Sequence, residues 1–81
     1  MSVRTAENRE QDFIAMAHSA ELISAVISGA EMVGEDRPER QSCVDRNTEH
    51  LELMVALTDW DNEDMTVCNL AITAGNGYTA P

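Results

Sequence analysis

The sequence predicts an all-α fold: an antiparallel helical hairpin with a third helical segment, either short or continuous with the second helix, completed as a dimeric bundle. Three observations carry that prediction. Apolar residues recur at three- and four-residue steps over two long stretches, the period of one helix face. Hydrophobic residues make up 43% of the chain, yet it holds only one Phe, one Trp and one Tyr, so the core must be built from Leu, Ile, Val, Met and Ala. Those residues suit helices better than a β-sandwich. Finally, Gly34 with Pro38, and Gly75 with Gly77, fall at the ends of the periodic stretches, where helices stop and start. At 81 residues the chain is a single domain, 1–81. A domain of that size buries roughly 60% of its unfolded surface, which leaves a monomer marginal and makes pairing expected.

The first element opens after a loose start at residues 1–4. Thr5 is the expected N-cap, with Glu7 and Glu10 in the first turns, where carboxylates favour the positive end of a helix. Phe13, Met16, Ala17, Ala20, Ile23, Ile27 and Ala30 form one apolar line, and Ile14, Leu22, Ala25, Val26 and Val33 form another beside it. Glu21, Ser24, Ser28, Glu31 and Glu35 make the opposite, solvated edge. Gly34 is the expected stop, because glycine takes the left-handed conformation without strain. Although Phe13–Val33 is long enough to cross a bilayer, Glu21 and Glu31 inside it exclude a membrane anchor.

Glu35, Asp36 and Arg37 make the expected turn, and Pro38 opens the second helix, since its missing N–H is harmless in the first turn. Val44, Leu51, Met54, Val55 and Thr58 form its apolar line, flanked by Cys43, His50, Leu53, Leu57 and Trp60. Asp45, Glu49, Glu52 and Asp59 form its acidic stripe. The third segment starts at Asp61, Glu63 and Asp64 and keeps helical phase through Met65, Cys68, Ala71 and Ile72 to Gly75. The same phase also fits one uninterrupted helix over 38–74, and composition alone admits a strand over 66–73. Residues 76–81 are expected to be a loose tail.

Charge is the best functional clue. Fifteen Asp and Glu face five Arg, for a formal net charge of −10. A surface of that sign repels nucleic acid and anionic membrane and favours a basic partner. The candidate partner-binding residues are Glu21, Glu31, Glu35, Asp45, Glu49, Glu52, Asp59, Asp61, Glu63 and Asp64, whose rows could stand where phosphates do on a nucleic-acid-binding protein. In size and charge, and in nothing finer, the chain is similar to small acidic inhibitors of phage origin, anti-CRISPR and other anti-defence proteins among them. The rival reading is an oligomer that sequesters a small ligand between helices of different copies, lined by Arg37, Arg40, His18, His50 or Trp60.

Other chemistries fit poorly. A calcium loop starting at Asp59 needs glycine at its sixth position and glutamate at its twelfth, and the chain supplies Asp64 and Leu70. His18 precedes Glu21, the reverse of the Glu-to-His order of bundle metal sites, and Glu49 stands directly beside His50, so neither a metal nor another cofactor is expected. No strained Gly-x-Ser-x-Gly turn or glycine-rich phosphate cradle is present, and an enzyme is not expected. Arg37 and Arg40 beside Asp36 and Glu39 are expected to form local ion pairs worth little each, the rival reading being an anion-binding corner where Pro38 opens the helix. Cys43 and Cys68 would lie about 13 Å apart in depth on antiparallel helices, too far for a disulfide. Two free thiols and no charged-then-apolar leader point to a reducing cytoplasm. Ser24 with Ser28, and Ala25 with Gly29, place small side chains four apart, the spacing that lets another helix approach closely.

Overall fold

A computed structural model describes residues 5–29, 36–58, 60 and 63–81. These form three α-helices and, among the described residues, no strand: α1 (Ala6–Ser28), α2 (Arg37–Val55) and α3 (Thr66–Asn76). Each helix packs on the other two, which makes a three-helix bundle. Gly75 of α3 lies on Thr48 of α2, while Tyr78 and Ala80 reach back to Gln41, so α3 runs antiparallel to α2. The strand reading of 66–73 and the single helix over 38–74 are both overturned.

Local chemistry sets the helix starts. Thr5 caps α1 as the sequence predicts, its Oγ1 accepting the Asn8 N–H at 3.0 Å. Asp36 caps α2, its carboxylate accepting the Glu39 N–H at 2.9 Å, so Arg37 is helical and the predicted turn ends one residue early. Pro38 sits in the first turn of α2, where its missing N–H costs nothing.

The helix ends depart further from expectation. α1 stops at Ser28 and not near Gly34, because Gly29 takes φ 77°, ψ 8° and turns its N–H back to the carbonyls of Ala25 and Val26. This left-handed conformation is what glycine supplies at a helix end. Apolar periodicity continues to Val33, but residues 30–35, including the expected stop at Gly34, lie outside the described residues. Gly29 is thus a cap and not a packing surface, and a Cβ built on it would meet nothing within 4 Å. α2 likewise ends at Val55, which leaves Leu57 and Trp60 off the helix although they keep its phase.

Trp60 packs over that end. Its Nε1 donates to the Met54 carbonyl at 2.7 Å, an acceptor that also takes the Leu57 N–H at 3.2 Å. Its ring tilts 59° against Phe13 of α1, with centroids 6.4 Å apart. One residue therefore covers the end of α2 and carries the chain over the foot of α1. The predicted start of α3 at Asp61 is also corrected: the helix begins at Thr66, whose N–H donates to Asp64 Oδ1 at 2.9 Å.

The core runs between the three helices through Met16, Ala20, Ile23, Val26, Cys43, Val44, Leu51, Trp60 and Cys68. Met16, Ile23, Val44 and Leu51 are fully enclosed, each adding about 1.5–3 kcal/mol over an exposed position. At Gly75 the backbone of α3 comes so close to the Thr48 side chain of α2 that an added Cβ would run into Thr48 Oγ1, with Thr48 Cβ at 3.1 Å and Cγ2 at 3.2 Å. Gly75 is therefore a buried contact between α3 and α2, where the sequence suggests only punctuation.

Residues 78–81, expected to be loose, are docked on α2. The Gln41 amide donates to the Tyr78 carbonyl at 3.1 Å and accepts the Ala80 N–H at 2.7 Å. Arg40 reaches the Pro81 carbonyl at 3.4 Å, and Ala80 is buried. A side-chain amide that bonds backbone on both of its faces holds an extended segment as a neighbouring strand would.

Candidate functional site

The acidic residues fall on three separate elements. On α2, Asp45, Glu49 and Glu52 are all exposed and follow one another by four and three residues, so helical geometry places them on one outward line. Gln41, one turn earlier, donates to Asp45 at 3.0 Å with the same amide nitrogen that holds Tyr78. The tail thus braces the start of this line. Glu49 and Glu52 form no ion pair with any of the described residues.

Glu21 is exposed on α1 and shares its line with Ser24 and Ser28. Glu63 and Asp64 are exposed just ahead of α3. Hydrogen bonds from the Thr66 side chain and backbone hold the Asp64 carboxyl below its ordinary range, because they stabilise the charged form. Glu31, Glu35, Asp59 and Asp61 lie outside the described residues. The described residues offer one well-formed acidic line on α2, with further exposed acids on α1 and before α3.

Density can be worked from the helix rise. Asp45 to Glu52 spans seven residues, or about 10.5 Å at 1.5 Å per residue, which gives one charge per roughly 5 Å. A single DNA strand carries one per about 3.4 Å. The α2 line therefore has about two-thirds the linear density of one strand. Taken alone, the line is sparser than a row of phosphates.

Of the residues expected to line a ligand pocket between copies, Trp60 and Arg40 are engaged within the chain. Trp60 is buried against Phe13 and bonded to Met54, Arg40 is turned to the tail, and His18 is exposed. Among the described residues no three of His, Cys, Asp or Glu stand together as a metal ion would need. Cys43 and Cys68 are both free and buried, and burial pushes the Cys68 thiol up from its ordinary pKa. No helix among the described residues is long and apolar enough to cross a membrane.

A groove that sequence reasoning missed lies between α1 and α3. It encloses about 360 Å³, with Ala20, Ser24, Ser28 and Ala74 as small lining residues and Ile27, Val67 and Leu70 as large ones. Val67 and Leu70 remain 64% and 66% exposed. The four-residue step of Ser24 and Ser28 was the available signal, since small side chains on one helix line leave room beside it. Periodicity places these serines on a solvated edge, and only the position of α3 makes them part of an apolar cleft.

Comparison with known proteins finds no family model, no curated protein and no solved structure that matches the chain.

Proposed function

We propose that this protein is a non-enzymatic binding module that docks its acidic α2 face on a basic surface of a larger protein and acts as a pair of copies. The observation that carries the reading is the outward line Asp45, Glu49 and Glu52. Three carboxylates are held at helical spacing on a rigid element, and its last two members have no cation of their own among the described residues. Unpaired carboxylates on a rigid face are already placed for a partner's Arg or Lys, so little side-chain order is lost on docking. With a net charge of −10 the whole chain steers toward a positive target.

The partner class is a basic protein groove, including one that normally holds nucleic acid, and nucleic acid itself is excluded by charge. The test is capture of partners from lysate on immobilised protein at 0.05 and 0.3 M salt, with Glu49→Lys/Glu52→Lys as the control. The reading expects basic proteins retained at low salt, released at higher salt, and lost from the reversed variant. Retention that is indifferent to both salt and charge reversal would refute it.

A further inference from the structure

We infer that the groove between α1 and α3 is the face through which two copies of this chain pair, which rests on the two-copy reading above and gives it a location. Charge selects the occupant. All nine residues lining the groove are uncharged, on a chain that carries fifteen acids against five arginines. Two copies at −10 each repel wherever acidic faces meet, and in a low-dielectric contact that repulsion grows. A neutral face is where a second copy can approach without burying like charges. A basic partner, by contrast, would find no carboxylate among those lining residues to neutralise.

The relief of the face fits itself. Leu70 and Val67 project from α3, two-thirds exposed, beside the hollow left by Ser24 and Ser28 on α1. In a two-fold pair each copy offers the same surface, so the ridge of one can enter the hollow of the other. That is also where serines four residues apart let the backbones come close. Both features line the same groove, so one symmetric contact uses both.

Area sets the strength. Ala20 to Ser28 covers about 12 Å of helix at 1.5 Å per residue, and two adjoining helices present a face about 20 Å wide. A patch of that size falls short of the roughly 800 Å² per partner of a standard interface. The pair is accordingly weak, forming in the micromolar range or above, and salt strengthens it by screening the acids outside the contact.

The experiment is sedimentation equilibrium of the full chain from about 10 µM to 1 mM, at low and at molar salt, with Leu70→Glu and Val67→Ser/Leu70→Ser alongside and circular dichroism to check folding. The expected result is an average mass rising from 8.9 kDa toward twice that value with concentration, further at molar salt, and staying near the single-chain mass in folded Leu70→Glu. The serine variant adds no charge, so loss of pairing there ties the effect to apolar contact and not to new repulsion. A wild-type chain that stays single at all concentrations overturns the inference, as does a pair that survives in both variants. The two proposals separate cleanly: Glu49→Lys/Glu52→Lys removes partner capture and leaves pairing, whereas Leu70→Glu removes pairing and leaves the α2 face intact.

Discussion

Replacing Gly75 with alanine tests the packing of α3 on α2 more sharply than any other single change. A methyl group at this position meets Thr48 Oγ1, and rotation about the Thr48 χ1 bond, which moves Oγ1 and Cγ2, leaves Thr48 Cβ in tight contact at 3.1 Å from the new atom. Gly75 has no positive φ, so the requirement is for space and not for backbone freedom. Helix propensity works the other way, favouring alanine by at most about 1 kcal/mol in a helix interior. Overpacking of a tight contact costs about 1–3 kcal/mol, so a net loss of about 1–2 kcal/mol is expected. For a domain of this size that is roughly 4–8 °C in Tm per kcal/mol. Thr48→Ala provides the matching half of the cycle. It removes Cγ2 and Oγ1, the latter a buried hydroxyl oxygen with no hydrogen-bond partner, and leaves Cβ in place. Urea unfolding followed by helical circular dichroism on the wild type, the two single variants and the double variant reads the coupling, expected at about 0.5–3 kcal/mol in the sense that Thr48→Ala rescues Gly75→Ala. A Gly75→Ala protein as stable as the wild type, or four stabilities that simply add, would refute the close approach of the two helices.

Gly29 presents the opposite case, with open space but a left-handed backbone. Gly29→Ala is expected to lose about 1–2 kcal/mol and Gly29→Asn distinctly less in the same unfolding assay. Gln41→Ala removes both Gln41 clamps on the tail, and faster amide exchange at Ala80 is expected, with a modest loss of about 1–2 kcal/mol from two hydrogen bonds; unchanged exchange would mean that burial of Ala80 and the Arg40 contact to Pro81 hold the tail without them. The Asp64 carboxyl has a folded pKa lowered by Thr66, so its contribution to the start of α3 is complete above its ordinary value of 3.8 and is lost as pH falls through the lowered one. Carboxyl chemical shifts followed by NMR should place its midpoint below 3.8, and Thr66→Ala, which keeps the backbone bond but removes the hydroxyl, should return it part of the way.

The sequence by itself determined what depends on neighbours within a turn or two. Thr5 as a cap, Pro38 in a first turn, three helical stretches and an outward acid line at Asp45, Glu49 and Glu52 all follow from side-chain chemistry and the 3.6-residue period. Those forces act within a few residues, so they can be read along the chain. Gly29 is the instructive local failure, because a glycine inside an apolar period reads equally as interior or as stop. Only its left-handed backbone decides. Tertiary structure alone decided the rest. Trp60 packs over the end of α2 because Phe13, far away in sequence, offers its ring a surface. Gln41 holds the tail across more than thirty residues, and Gly75 is needed because Thr48 arrives opposite it. Ser24 and Ser28 turn from a wet edge into part of an apolar groove once α3 lies beside them. Each of these depends on which surface meets which, a choice that periodicity leaves open and that packing of the whole chain makes.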